Sequence, residues 1–268
     1  MSTIRIDDPD DPRIAAFRDI RERDLTGREG LFIAEGEVVL RTLLSPSSLC
    51  RPRAILLAEK RIGGLAEMVA GAPAGTPVYV AGQAVLDAIA GFPLHRGILA
   101  LGEKPAPIEA AALLAGLGED AVVVAASGIG NHDNIGGLFR NAAAFGAGAV
   151  LLDDLCGDPF YRKSIRVSVG AVLRMPIARP MPSGEMVDAL EIAGFEVIAL
   201  TPAADETLSD LRPGGRRALL LGSEGPGLPD GIIARCRPVG IRMSGGFDSL
   251  NVAATSAITL HQLTAGGS

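Results

Sequence analysis

Three observations on these 268 residues predict an α/β fold: a parallel sheet covered by helices, preceded by a smaller α/β domain. From residue 121 onward, short strand-like stretches rich in apolar residues recur at 121–126, 149–154, 195–201, 217–225 and 239–245. Helical stretches alternate with those runs. A strand that is apolar at every position is buried on both faces, which suits a parallel sheet held between helix layers. The third observation is the Pro- and Ala-rich stretch 104–120, which lacks a strand pattern and reads as a linker leading into a short helix. It divides the chain into 1–103, a linker at 104–118, and 119–268.

In the first part, Ile14, Phe17, Ile20 and Leu25 stand near helical spacing and predict a helix over 13–25. Residues 31–36 read as a strand and 37–44 as a helix ended by Pro46. The runs 54–59 and 77–82 read as buried strands, each followed by a helical stretch, and 95–103 as a closing strand. In the second part, the strand at 121–126 runs through a Gly-rich loop into a helix at 138–146. Residues 164–174 read as helical with small residues on one side, and a last helix runs from Ser249 to about Leu263. Ligands of such sheets bind beyond the carboxyl ends of the strands.

Composition narrows the function. No apolar run approaches the roughly 20 residues of a membrane span; 142–152 is among the longest. The opening MSTIRIDDPDD is acidic and argues against a secretory signal. Cys50, Cys156 and Cys236 form no CxxC pair, so neither a disulfide framework nor a zinc module is expected, and a cytoplasmic protein is. His95, His132 and His261 show no ligand spacing, so no metal is expected. The net charge of −6 argues against a generic polyanion binder. Yet only Lys60, Lys104 and Lys163 are lysines, leaving 22 arginines, the residue that forks phosphate and stacks on bases. A GC-rich coding bias accounts for the same excess.

Three clusters carry the chemistry. The loop 127–137 fits a dinucleotide fingerprint at Gly128 and Gly130, with Asp153 and Asp154 imitating the ribose-binding acid. Asp133 stands where that fingerprint needs glycine, however, and the loop is long and polar. Read instead as a polar site before a helix, it offers Asn134, by itself a helix cap. It also offers Arg140, by itself a surface cation. On a helix otherwise apolar around it, that cation calls for a phosphate or carboxylate partner. The second cluster, 219–229, runs a strand into Gly222-Ser223-Glu224-Gly225, where Glu224 is either a site acid or an exposed turn residue. The third, 241–260, brings a Gly-Gly bend, then Asp248 or Ser249 as a cap, and Ser249 and Asn251 flanking Leu250. A cap explains one of those two polar residues; both together suggest a site.

Taken together, Asn134-Ile-Gly-Gly-Leu-Phe-Arg140, Leu221-Gly-Ser-Glu224-Gly225 and Ser249-Leu250-Asn251-Val252 resemble the three motifs of the SpoU/TrmH family. That family consists of SPOUT-superfamily RNA 2′-O-ribose methyltransferases, and the resemblance covers 121–263. More loosely, Phe32-Ile-Ala-Glu35-Gly36 and His95-Arg96-Gly97-Ile98-Leu99-Ala100 are similar to the family's L30e-like substrate-binding domain. The resemblance implies a carboxyl-terminal trefoil knot, a homodimer, and S-adenosylmethionine as methyl donor. It places the donor on Gly222, Ile241 and Leu250, with Thr201 and Met243 nearby. Arg140, Asn134, Glu224, Ser249 and Asn251 become the catalytic set, with Glu224 expected to hold Arg140 through a bidentate pair.

The implied substrate is rRNA or tRNA. In its favour, 159–184 carries Arg162, Lys163, Arg166, Arg174 and Arg179 and no acid; of these, Arg162, Lys163 and Arg166 are the expected RNA contacts. Arg18, Arg21, Arg23 and Arg28 alternate with acids and carry little weight. Two other readings stay open: an RNA-binding protein that retains the fold without activity, and a nucleotide-dependent oxidoreductase built on the Gly128 loop.

Overall fold

The structure, a computed structural model, describes residues 3–18, 30–90, 94, 96–245 and 249–265. The chain forms two compact units, one comprising Met1–Pro105 and Asp158–Arg174, the other Ala106–Gly157 and Met175–Ser268. The sequence reading had set the whole of 158–174 within 119–268.

The first unit is built on a five-stranded mixed sheet: β1 (Ile4–Ile6), β2 (Leu31–Glu35), β3 (Arg51–Ala58), β4 (Val78–Ala81) and β5 (Ile98–Glu103). Their order is β1-β4-β3-β5-β2, with β5 antiparallel to both its neighbours and the other pairs parallel. Helices α1 (Glu37–Leu43), α2 (Ile62–Ala70) and α3 (Gln83–Ala90) connect the strands. One face of the sheet buries Ile33, Leu56, Tyr79, Leu99 and Leu101 against Leu86, Ile89, Ile14 and Phe17. Residues 13–25 do not form one helix; Pro12–Phe17 is a short 3-10 turn, and the remainder lies mostly outside the described residues.

The second unit holds five parallel strands: β6 (Val122–Ala126), β7 (Ala149–Leu152), β8 (Glu196–Leu200), β9 (Arg217–Leu221) and β10 (Arg237–Val239), in the order β10-β8-β9-β6-β7. Every residue of β6 and β7 is buried, as expected of strands covered on both faces. Six further helices lie among the described residues: α4 (Ala110–Ala115), α5 (His132–Ala144), α6 (Arg162–Val167) of the first unit, α7 (Ser183–Ile192), α8 (Asp230–Ile233) and α9 (Val252–Thr264). Leu114 of α4 and Met186, Val187 and Leu190 of α7 pack on Val123, Ala125, Leu151 and Leu220. Helices α5 and α9 pack together, and α9 also meets β9.

Local chemistry moves several boundaries away from the sequence reading. Helix α5 begins at His132 rather than 138, because the Asn131 side chain accepts from the Asp133 amide at 2.8 Å and caps it. Residues 164–174 do not form one helix: Val169 (φ 56°) and Gly170 (φ 82°) break α6 from a 3-10 turn at Ala171–Leu173. The strand expected at 239–245 stops at Val239, because the Gly240 amide donates to the Glu206 carbonyl and its carbonyl accepts from Leu208. The last helix starts at Val252, capped by Asn251, whose Oδ1 accepts from the amides of Ala253 (2.9 Å) and Ala254 (3.3 Å). Ser249 is not the cap, and Asp248 lies outside the described residues.

Helix α5 meets α9 where both carry small residues. A Cβ built on Gly137 would lie 2.5 Å from the Ala253 Cβ, so only glycine admits this approach. Asn141 then donates from Nδ2 to the Ala253 carbonyl (2.6 Å) and the Ser256 hydroxyl (2.8 Å). Gly137→Ala gains about 1 kcal/mol in helix propensity. Overpacking costs about 1–3 kcal/mol, so a net loss in the melting temperature is expected. Adding Ala253→Gly reopens the space. The double variant is therefore expected to melt higher than the two single losses added together predict, which calorimetry on all four proteins reads directly. Additive losses would refute the close approach.

Candidate active site

Parallel strands bring their carboxyl ends to one edge of the sheet, so the loops after β8, β9 and β10 converge. Between them lies a cavity of about 630 Å³, within the range of small-molecule sites. Thr201, Gly222, Ile241, Met243 and Leu250, the five residues the resemblance implies for the methyl donor, all line it, together with Glu224, Ser249 and Asn251. Leu221 and Val252, which open and close two of the motifs, add apolar wall, and so does Leu200, which belongs to none of them. Leu200 was missed because it reads as an ordinary strand residue.

The turn after β9 is the floor. A Cβ on Gly222 would lie 2.4 Å from the Gly227 carbonyl carbon and 2.5 Å from the Leu228 amide nitrogen, so the chain folds back on itself at van der Waals distance there. Gly227 donates its amide to the Ser223 carbonyl at 3.1 Å and closes the turn. Glycine is required by that approach rather than by backbone angle.

The polar residues form a chain. Asn251 donates from Nδ2 to Asn134 Oδ1 at 2.9 Å, and Asn134 donates from its own Nδ2 to Glu224 Oε1. Asn134 is buried, and the two bonds satisfy its carbonyl and half its amide. Asn251 thus serves two purposes, capping α9 with its oxygen and orienting Asn134 with its nitrogen. Ser249 faces the cavity and makes no hydrogen bond among the described residues.

Arg140 corrects an expectation. Glu224 pairs with Asn134, not with Arg140. The arginine is exposed, does not line the cavity, and makes no ion pair among the described residues. Helical phase explains this: six residues are about one and two-thirds turns, so Arg140 stands about 120° around the helix from Asn134. Asn141, about two full turns on, shares the Asn134 face and bonds α9 instead. Of the expected RNA contacts, Lys163 and Arg166 are exposed on the first unit, whereas Arg162 is half-buried with its guanidinium 3.9 Å from Glu35.

The Gly128 loop is already occupied by its own acid. Buried Asp153 accepts from the Ser127 hydroxyl (2.7 Å), the Gly128 amide (2.9 Å) and the Leu155 amide (3.1 Å). A carboxylate so engaged is not available to a ribose. Nor is neighbouring Cys156 a nucleophile: burial pushes its thiol up to about 12, and the reactive thiolate is absent at neutral pH. Around the main cavity, Glu224 is the only ionisable side chain among the described lining residues.

Comparison with known proteins gives concordant findings. Residues 121–261 match the model of the SpoU rRNA Methylase family. A Mycobacterium tuberculosis protein named as an uncharacterized tRNA/rRNA methyltransferase is 38% identical over 272 residues, covering 97% of this chain and 91% of its own. An AdoMet-bound rRNA methyltransferase from Sinorhizobium meliloti superposes with a TM-score of 0.80 at 22% identity, covering 97% of each chain. A structure described as an RNA 2′-O ribose methyltransferase gives 0.75 at 25% identity, again with 97% of each chain.

Asp153→Ala strands two buried or half-buried donors at once, the Ser127 hydroxyl and the Gly128 amide. Each unsatisfied donor costs about 1–3 kcal/mol, so denaturant unfolding is expected to show a loss of at least about 2 kcal/mol. A loss under 1 kcal/mol would mean that the loop closes without its acid.

Proposed function

This chain belongs to the SpoU rRNA methylase family, and on that premise we propose that it is an S-adenosylmethionine-dependent methyltransferase acting on a ribose 2′-hydroxyl of rRNA or tRNA. The observation that carries this reading is the charge of the cavity beyond β8–β10. Its described lining offers apolar side chains, folded-back backbone and one acid, Glu224, with no lysine or arginine. That suits a donor bearing an adenine ring and positive sulfonium and ammonium groups. It is wrong for a dinucleotide, whose phosphates need cations or a free helix amino terminus. The residues therefore fit the methyl donor, and Thr201, Gly222, Ile241, Met243 and Leu250 would hold it.

Bound there, S-adenosylmethionine would supply an electrophilic methyl group to the ribose oxygen, with the carbon–sulfur electron pair staying on sulfur and the hydroxyl proton passing to solvent water. Positioning does most of the work in such an in-line transfer, because fixed reactants gain large effective molarity. Asn251 and Asn134 hold Glu224 at the cavity edge. Ser249, whose hydroxyl makes no hydrogen bond among the described residues, would face the ribose from the cavity wall. Arg140 does not act as a base, since a guanidinium stays protonated. In this reading it orients an RNA phosphate and stabilises the developing alkoxide; its exposure and its lack of an ion pair among the described residues support the phosphate role.

Several features of this reading rest on the resemblance: the trefoil knot, the homodimer, the cytoplasmic location, and an L30e-like RNA-holding first domain. The return of α9 onto α5 and β9 supports the knot, and the exposed Ile258 on α9 supports a dimer face.

The test is transfer of labelled methyl to unmodified rRNA and tRNA, followed by nucleoside mass spectrometry. A 2′-O-methylated nucleoside is expected; label found only on bases would overturn ribose specificity. S-adenosylhomocysteine at 100 times its Kd is expected to stabilise the protein by about 2.7 kcal/mol, whereas NAD leaves the melting temperature unchanged. Binding of S-adenosylhomocysteine without transfer to any RNA would favour the non-catalytic RNA-binding reading. Arg140→Ala is expected to lower turnover about 10²-fold, the usual effect of losing one electrostatic stabiliser. Normal turnover would remove that role.

A further inference from the structure

The first unit carries a second cavity, of about 740 Å³, whose chemistry is the opposite of the first. Lys60, Arg61, Arg96 and Arg166 line it, against two acids, Glu35 and Glu37. The acids are committed: Glu37 pairs with Arg61 at 2.9 Å and also with Arg41, and Glu35 faces Arg162 at 3.9 Å. Lys60, Arg96 and Arg166 make no ion pair among the described residues and are exposed. On a chain of net charge −6, three uncommitted cations around one concavity are a local reversal of sign.

Two backbone features show that the concavity is built rather than incidental. Gly36 sits at φ 95° where β2 turns into α1, and a Cβ there would lie 3.0 Å from the Arg96 Nη1 and 3.3 Å from its Cδ. The arginine is therefore laid across the glycine backbone, a position that any side chain at 36 would contest. On the opposite wall Val169 is held at φ 56°, a conformation that branched side chains rarely adopt, with Gly170 behind it packed on Thr42. Backbone strain of this kind concentrates where a ligand is held.

From this we infer that the cleft around Gly36 is a phosphate-binding site for the substrate RNA, in which Lys60 and Arg96 join Arg166. The inference rests on the RNA reading above. Exposed, uncommitted cations on a concave wall suit a phosphodiester backbone, with guanidinium forks fixing direction and the lysine acting as a point charge. Neither Lys60 nor Arg96 belongs to the cationic stretch 159–184; strand–helix connections of the first unit bring them to it.

The experiment uses the full chain and in vitro transcribed, unmodified rRNA and tRNA, with binding measured across a salt series. Lys60→Ala with Arg96→Ala is expected to weaken binding tenfold or more. The slope of log affinity on log salt should become shallower by about 1.4–1.8, the value for two lost phosphate contacts. KM for RNA should rise more than kcat falls, and affinity for S-adenosylhomocysteine should stay constant. Lys60→Arg with Arg96→Lys, which conserves charge, should keep the wild-type slope. Affinity and slope unchanged in the double alanine variant would overturn the proposal, as would a wild-type protein that binds neither RNA. Displacement of RNA by poly-L-glutamate at equal charge concentration would overturn it in favour of an acidic peptide partner. Absence of methyl transfer sinks the catalytic reading separately, because the salt slope is read without turnover.

Discussion

The close approach of α5 and α9 is the constraint on which the candidate active site depends. Gly137 against Ala253 sets the spacing, and Asn141 sets the register by bonding the Ala253 carbonyl and the Ser256 hydroxyl. With those fixed, Asn251 at the head of α9 lies within reach of Asn134 in the first turn of α5, and Asn134 within reach of Glu224. The buried amide of Asn134 is costly unless bonded, so its two partners favour one arrangement of the two helices and the turn after β9. The wall of the cavity is the product of that arrangement rather than of any one residue.

Charge is distributed in the same purposeful way within each unit. The cavity of the second unit has one acid and no cation among its described lining residues, while that of the first has four cations and two tethered acids. Each lining thus favours a ligand of the opposite charge. The overall net charge conceals both, since binding responds to local potential and solvent screens charges beyond about 10 Å.

Much of the architecture was legible because burial on both sheet faces leaves a plain mark: Val122–Ala126 and Ala149–Leu152 are apolar throughout, and each is a strand. Helix boundaries were less legible. His132, Asp133 and Asn134 read as polar loop, yet the Asn131 cap turns them into the first turn of α5. Residues 239–245 kept a strand-like pattern, but Gly240 spends its hydrogen bonds on Glu206 and Leu208, and the chain leaves the sheet. The Arg140–Glu224 pair failed for a reason of phase: opposite charges on motifs that work together need not face each other on a helix.

By itself the sequence determined the strand runs, the glycine and polar residues of the three motifs, and the resemblance that places this chain among the SpoU methylases. These are properties of local pattern and composition, which a linear reading captures. Only the tertiary structure decided that Glu224 belongs to Asn134, ninety positions away, and that Asn251 both caps and orients. It alone showed that Asp153 fills the Gly128 loop and that Lys60, Arg96 and Arg166 gather at Gly36. Hydrogen bonds and ion pairs act over a few ångströms, and which groups come that close is set by strand order and helix packing.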